Sequence, residues 1–379
     1  MKLCAISFKE CWQEDGKWYS YGGFPMQMTY LGQQFDSMTL IITEAKQRPG
    51  GILLPEFAHV VALKKPEGND GTRKLYVLKH LRYYVKTISN EIKKADVIHT
   101  PLPGDIPLIA MIIAILKKKK LIARYGGSWE NNEQTTIVSK FTKFIMKRFA
   151  GGKRVMLATG SGSTPPAKNM HWIFSSVLTE KDLSGVYPNL NRRLSETPEL
   201  VYIGRLSSEK GVQVLLKAVH ILKETKPNLK FRIKLIGGGP MEDELKAITK
   251  QYNIEDRVVF KGQLNKSSLL EEVQKSDLCV QPSLTEGFSK AWLDAFFCGL
   301  PIVASNVGAA SSVITKDRGW LVKPNAPDEL ANRIEYCLTS EDINWEGLRN
   351  NCFNFVKELT IENWGEKIKQ ICDRQWLHS

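Results

Sequence analysis

Residues 282–301 read Pro-Ser-Leu-Thr-Glu-Gly-Phe-Ser-Lys-Ala-Trp-Leu-Asp-Ala-Phe-Phe-Cys-Gly-Leu-Pro. They follow the apolar run Leu278–Gln281 and lead into Pro301–Ala304. Short apolar runs around a helix-length segment predict a βαβ unit with parallel strands. Gly287 allows a sharp turn into the helix. Gly299 is the residue expected to end it, because glycine tolerates the left-handed conformation that caps helices. The loop carries Glu286 and the helix carries Asp294. This spacing is about 2.2 helical turns, so the two carboxylates can share one face with the helix N-terminus between them. Such a pair suits a polyol that carries phosphate: a carboxylate accepts from neighbouring hydroxyls, and free N–H groups meet the anion. The plainer alternative is a loop acid and a helix-surface acid with no ligand.

Upstream, Tyr202-Ile203-Gly204-Arg205-Leu206-Ser207-Ser208-Glu209-Lys210-Gly211 predicts a strand and a turn bearing two cations. A helix with apolar spacing at Val212, Leu215, Leu216, Val219 and Leu222 follows. Arginine offers a bidentate fork and lysine a point charge, so Arg205 and Lys210 suit a diphosphate at a strand-to-helix turn. They read equally well as surface cations beside a helix cap. Gly237-Gly238-Gly239 follows the strand Arg232–Ile236, either for close approach of a ligand or for a tight turn.

The same alternation of strand and helix runs through the whole chain, which predicts an α/β protein with parallel sheets. In the first half the strands are expected at Leu3–Ser7, Met38–Thr43, Val97–His99, Leu121–Arg124 and Val155–Ala158. In the second half Leu200–Ile203, Arg257–Phe260 and the runs already named carry the pattern. The polar, proline-bracketed stretch Pro188–Pro198 is expected to link two lobes. The boundaries predicted are 1–190 for the first lobe and 197–358 for the second. The C-terminal helix, about 360–379, is expected to pack back on the first.

Taken together, Val201–Ile314 resembles the donor-binding lobe of the family 4 glycosyltransferases, enzymes of the GT-B fold. The residues that carry the resemblance are Gly204-Arg205 with Lys210-Gly211, the glycine loop at Gly237, Glu286-Gly287-Phe288, the acid at Asp294, Cys298–Ser305 and Val307-Gly308. The resemblance implies two Rossmann-like lobes facing across a cleft. It also implies a retaining, metal-independent transfer of sugar from a nucleotide diphosphate donor, UDP- or GDP-linked, to a hydroxyl acceptor. That acceptor is expected to be a lipid-linked or growing cell-surface glycan, as in polysaccharide biosynthesis. Arg205 and Lys210 would hold the leaving diphosphate, and Glu286 the transferred sugar. The backbone of Gly287, Phe288, Ser289 and Lys290 would meet the phosphates, and Asp294 the ribose. The family usually has Glu where this chain has Asp294, which alters the geometry of that contact.

The first half matches more loosely. Tyr21-Gly22-Gly23-Phe24 follows the first strand, where relatives keep a glycine loop facing donor and acceptor; an ordinary turn is the alternative. Many relatives carry a donor-contacting histidine after the strand that is here Leu121–Arg124. This chain has Tyr125-Gly126-Gly127-Ser128-Trp129-Glu130 instead, leaving Tyr125, Ser128 or Glu130 as candidates for the polar contacts. His99 reads as a core histidine or a site residue. An epimerase or phosphorylase of the same fold, or a non-catalytic sugar-nucleotide binder, are the alternative functions.

Composition narrows the class. The chain has 379 residues, 42% of them hydrophobic and 25% charged, as expected of a globular protein with two ordinary domains. Its longest apolar run, Ile106–Leu116, is too short for a membrane span. Met1–Ile6 enters a strand pattern directly without a signal-peptide pattern, so a cytoplasmic protein is expected. The seven cysteines are scattered singly and no Asp-x-Asp occurs, so reduced thiols, no cofactor and no metal site are expected. Almost all of the net charge of +13 falls within residues 1–200. Ile137, Phe141, Phe144, Ile145 and Phe149 alternate with Lys140, Lys143 and Lys147, and Lys117–Lys120 adds a cationic run. These predict a basic amphipathic surface for anionic lipid on the cytoplasmic face of a membrane, or else a helix with its apolar stripe inward. No nucleic-acid module is present, so nucleic acid is not expected as a partner.

Overall fold

Branched and apolar runs form the strands of two separate sheets in a computed structural model describing residues 1–47, 50–68, 70–129, 131, 135–184, 188 and 190–377. The chain divides into two units, Met1–Val177 with Thr360–Ser379, and Leu178–Leu359.

In the first unit the strands are β1 (Lys2–Glu14), β2 (Lys17–Ser20), β3 (Ser37–Glu44), β4 (Ile52–Leu53), β5 (Ala58–Lys64), β6 (Val97–Leu102), β7 (Lys120–Tyr125), β8 (Arg154–Thr159) and β9 (Met170–Ile173). The helices are α1 (Phe24–Gly32), α2 (Asp70–Lys79), α3 (Leu81–Lys94), α4 (Asp105–Leu116) and α5 (Ile137–Phe149). The parallel part of the sheet runs β5-β3-β1-β6-β7-β8-β9. The strand order therefore reverses between β1 and β6, as in a doubly wound fold. Ile6, Ile41, Ile98, Ala123 and Met156 pack beneath α3 and α4 as the core.

In the second unit the strands are β10 (Glu199–Ile203), β11 (Arg232–Ile236), β12 (Val258–Gly262), β13 (Leu278–Gln281), β14 (Ile302–Ser305) and β15 (Gly319–Val322). The helices are α6 (Glu180–Ser184), α7 (Val212–Thr225), α8 (Glu242–Gln251), α9 (Lys266–Gln274), α10 (Lys290–Phe297), α11 (Ala310–Val313), α12 (Pro327–Thr339) and α13 (Trp345–Lys357). All pairs are parallel, in the order β12-β11-β10-β13-β14-β15, so here the order reverses between β10 and β13. Helix α7 buries the Val212, Leu215, Leu216, Val219 and Leu222 stripe that its spacing predicts. The last helix, α14 (Ile361–Leu377), belongs to the first unit, where it packs on α1. Gly365 permits this approach, since a Cβ there would lie 3.1 Å from the Tyr30 carbonyl oxygen.

Three features differ from the sequence-based expectation. β1 does not stop near Ser7; it shifts register between Ile6 and Glu10 and continues into a hairpin with β2. Asp15 and Gly16 both have positive φ, as a two-residue turn of this hand requires. Gly22-Gly23 therefore follows β2, and Gly23 caps α1. The division between units falls at Val177/Leu178, ahead of Pro188–Pro198. That stretch is fastened within the second unit: Arg192 donates to the carbonyls of Gln274 and Lys275 and pairs with the buried Asp277, and Ser195 donates to the same carboxylate. Asn189 in that stretch lies outside the described residues. Strands β2, β4, β5, β9 and β15 lie outside the expected set; β5 and β9 border the parallel part of their sheet, and β9 lacks the continuous apolar run of its centre.

Candidate functional site

Ligands of open α/β sheets settle outside the carboxyl ends of strands where the order reverses. In the second unit that place lies beyond Ile203 and Gln281. The two strand ends are tied by Gln281, whose side-chain amide donates to the Ile203 carbonyl at 3.0 Å. Tyr202 donates to the Arg205 carbonyl at 2.9 Å from below the turn. Its hydroxyl is held well above the usual phenol range, first by burial and then by the charges of Glu286 and Glu209.

The loops that carry Arg205, Lys210, Gly237, Glu286 and Gly308 come together here. Lys210, at the end of a short 3-10 turn (Ser208–Lys210), forms an ion pair with Glu286 of the loop after β13. Both side chains are mostly buried, at 23% and 13% exposure, which raises the value of the pair above that of a surface one. Arg205 is exposed at the edge of a cavity of about 390 Å³ lined also by Gly204, Gly237, Gly238, Gln263, Leu264 and Leu269. Gln263 and Leu264 were missed by the sequence reading. Their signal was position alone, since they directly follow β12 beside the reversal point.

Gly237 has a backbone reason to be glycine. Its φ is +140°, and a Cβ would stand 1.9 Å from the Gly204 carbonyl oxygen. A similar constraint holds Gly308, where a Cβ would lie 2.0 Å from the Glu286 carbonyl oxygen at a φ of +56°. Thus the two loops that carry Arg205 and Glu286 are each clamped against a glycine of a neighbouring loop.

Helix α10 starts at Lys290, so Glu286 lies in the preceding loop rather than on a face shared with Asp294. The helical-turn arithmetic does not apply to this pair, because Gly287, Phe288 and Ser289 lie outside the helix. Ser289 occupies the N-cap without its side chain bonding an N–H of the helix, and a helix N-terminus is the end that favours an anion. Phe288 is buried edge-on against Trp292, with ring centroids 5.9 Å apart. Gly299, with a φ of +69°, ends the segment as expected. Asp294 is deeply set, although its carboxylate keeps some access to solvent. Desolvation pushes its pKa up to about 6, against the opposing pull of Lys266 and Lys290. No hydrogen bond holds that carboxylate among the described residues.

The first unit has its own reversal point. Phe8 at the register shift within β1, Pro103, Gly104 and Asp105 beyond β6, Arg73 and Lys74 of α2, and Thr136 and Ser139 at the start of α5 line a cavity of about 330 Å³ there. Gly22 is exposed, with a φ of +70°. Tyr125 points into the core, under Lys143 at 5.1 Å and edge-on to Trp129. Ser128 is half-buried, and Glu130 lies outside the described residues. His99 is fully buried, with Nδ1 3.0 Å from the Ile122 carbonyl. Burial, reinforced by the Arg124 charge, pushes it down to about 3, so it is a neutral core histidine at ordinary pH.

The basic helix differs from its prediction. Lys143 is buried over Tyr125, and Lys147 lies over Trp129, whereas Ile137, Phe141 and Phe144 are exposed at 85%, 50% and 61%. Helix α5 has rotated its stripe because Thr142, Ile145 and Met146 take the inward positions. Nor is Lys117–Lys120 one patch. Lys119 caps the carbonyls of Lys93 and Ala95, and Lys120 lies over Trp376. All seven cysteines are free and buried. No helix among the described residues is long and apolar enough to cross a membrane, and no group of three or more metal-ligating side chains gathers among them.

Residues 189–357 match the model of the glycosyl transferases group 1 family. Protein CapJ of Staphylococcus aureus is 25% identical over 311 residues, 76% of this chain and 74% of that protein. A D-inositol 3-phosphate glycosyltransferase of Paenarthrobacter aurescens is 29% identical over 61% of this chain and 58% of its own length. Among solved structures, sucrose-phosphate synthase of Thermosynechococcus elongatus superposes over the whole of both chains with a TM-score of 0.72 at 18% identity. Anabaena Alr3699/HepE, solved in complex with UDP and glucose, covers 98% of each chain with a TM-score of 0.69 at 17% identity. The fold is thus the α/β two-lobe GT-B fold.

Proposed function

Starting from the premise that this chain is a glycosyltransferase, we propose that it takes sugar from a nucleotide diphosphate donor, UDP- or GDP-linked, with retention of configuration. The observation that carries this reading is the Lys210–Glu286 pair at the β10/β13 reversal point, beside the cavity edged by Arg205. A cation and a carboxylate in contact match a substrate whose phosphate and sugar are themselves adjacent. Lys210, Arg205 and the N–H groups at the start of α10 neutralise the leaving diphosphate, which is why no divalent ion is needed. Glu286 grips the hydroxyls of the transferred sugar and orients its ring as the bond to phosphate breaks. Asp294 accepts from the ribose hydroxyls, and the nucleoside occupies the cavity of about 390 Å³. The N–H groups of Gly287 to Lys290 complete the phosphate cradle.

The acceptor is a glycan or glycolipid whose head enters the first unit's cavity of about 330 Å³, where Arg73 and Lys74 favour an anionic group. Exposed Ile137, Phe141 and Phe144, with Lys140, Lys147 and Arg148 beside them, give α5 the character of a helix lying in an anionic membrane surface. Polysaccharide or lipid-linked glycan synthesis at the cytoplasmic face fits both features.

The test is release of nucleoside diphosphate from a panel of UDP- and GDP-sugars, with and without glycolipid acceptors and in excess chelator. At least one donor should turn over at a rate that chelation leaves unchanged, and NMR of the product should show the donor's anomeric configuration. Glu286→Gln removes a charged hydrogen-bond acceptor worth about 1.5–3 kcal/mol, so kcat/KM should fall at least about tenfold. A panel without any release, or an unaffected Glu286→Gln variant, overturns the reading.

A further inference from the structure

The second unit carries a second feature at the opposite end of its sheet. Edge strand β15 presents Trp320, which stands between Tyr336 of α12 and Trp345 of α13. The ring centroids are 6.4 Å and 6.1 Å away, at 77° and 62°. Two cavities share Trp320 and Lys316. One, of about 320 Å³, is lined also by Asp317, Tyr336, Asp342 and Asn351, and the other, of about 620 Å³, is lined by Thr315 and Arg333. Lys316 and Asp317 precede β15, so this place lies at the amino end of the parallel strands. The Lys210–Glu286 pair lies beyond their carboxyl ends.

We infer that the Trp320 cavities form a second saccharide-binding site, distinct from the transfer site, that takes a neutral oligosaccharide. A pyranose ring presents an apolar C–H face and a rim of hydroxyls, and needs an aromatic surface edged by acceptors and amides. Trp320 is half-buried and Tyr336 is 42% exposed, so both rings offer surface while their packing keeps them in place. The rim groups are unspent: among the described residues the Asp342 carboxylate and the Asn351 amide make no hydrogen bond. Over the two cavities together, Lys316 and Arg333 are matched by Asp317 and Asp342, so the lining as a whole carries no net charge and suits a neutral chain. Two adjoining cavities across one tryptophan suit more than one sugar residue. Such a site would keep a growing glycan on the enzyme between transfers, whichever donor is used.

The experiment is a microarray of neutral oligosaccharides (glucans, mannans, galactans and N-acetylglucosamine oligomers) probed with the full chain and three variants. The full chain should retain at least one oligosaccharide. Tyr336→Ala and Asp342→Ala alter exposed side chains, and each should reduce that signal at least tenfold. Arg205→Ala at the transfer site should leave it unchanged, while weakening UDP or GDP binding measured on the same preparation. Absence of any retained neutral oligosaccharide overturns the inference, as does a signal that survives either cavity variant or disappears with Arg205→Ala. Loss of donor turnover would sink the transfer reading and leave this result unaffected.

Discussion

Six parallel strands in each sheet follow one order, β5-β3-β1-β6-β7-β8 and β12-β11-β10-β13-β14-β15, and are finished by different chemistry. Around the β10/β13 reversal, polar side chains converge on space: Lys210 meets Glu286 and Arg205 edges a cavity. In the sheet of the first unit, polar groups are instead turned inward. Arg124 is fully buried and donates to Gln27 at 2.9 Å, with the Trp364 ring at 5.5 Å and no carboxylate partner. His99 lies buried nearby with Nε2 unpartnered. The surfaces differ in the other direction. Exposed large apolar side chains gather in the first unit, on α2, α3 and α5, and the second unit shows Val259 and Tyr336. One architecture thus holds a polar site in one unit and an apolar, basic exterior in the other.

The sharpest way to break this contrast is acid. His99 has its pKa lowered from 6.5 to about 3, so the folded unit resists a proton that the unfolded chain accepts. The stability this represents is complete above about pH 6.5 and is lost progressively as the pH falls toward 3. At pH 4 the loss approaches about 3 kcal/mol, which should loosen the first unit before the second. Protection factors at the amides of β6 and β7, which correct exchange for its intrinsic rate at each pH, should fall between pH 6.5 and 4, and in His99→Gln that fall should flatten. Equal acid sensitivity of both units would erase the distinction.

Asp294 gives the opposite sign and a smaller effect. Its pKa is raised from 3.8 to about 6, so the folded second unit favours the proton more than the unfolded chain does. Burying the ionised carboxylate is therefore a penalty that is full above pH 6 and disappears as the pH falls to about 4. Asp294→Asn should stabilise the second unit at pH 7 by about 1–2 kcal/mol, less than the full shift implies because the group keeps some solvent. The same substitution should raise the KM for donor roughly tenfold through a lost charged contact. Calorimetry beside donor kinetics tests both. A variant that gains no stability, or binds donor as before, would make Asp294 an ordinary helix residue.

How far the sequence carried these readings follows the same division. In the second unit the polar residues of the proposed site lie on short loops between continuous apolar strands, and Arg205, Lys210 and Glu286 stand out at strand ends. Gly237 and Gly308 are legible as glycines, but what they accommodate is a neighbouring carbonyl, which only three dimensions reveal. The first unit hid more. Asp15-Gly16 is a hairpin signal of the usual kind, yet β1 reads as ended at Ser7 because Phe8, Lys9 and Glu10 break its alternation. On α5 the apolar spacing correctly marks a helix but not the face that turns inward. That choice is made by Tyr125 and Trp129, whose rings take the stems and charges of Lys143 and Lys147.

That rotated helix yields the smallest predicted effect, and it separates apolar insertion from charge. Charge reversal at Lys143 is uninformative, since this side chain is 4% exposed and a carboxylate there would disturb the core. Phe144 is 61% exposed beside Lys140 and Lys147, so Phe144→Ser should leave folding intact. Burying one such ring partly in a bilayer interface is worth about 1 kcal/mol, hence roughly a fivefold weaker partition onto vesicles of phosphatidylglycerol and phosphatidylcholine. Lys147→Glu should weaken the same partition by more than this at low ionic strength and by less at 0.5 M salt, because a surface charge is screened within about 10 Å at 0.1 M. The Phe144→Ser deficit should persist at high salt, since no charge is involved. If neither substitution changes sedimentation with vesicles, the exposed face of α5 meets something other than lipid.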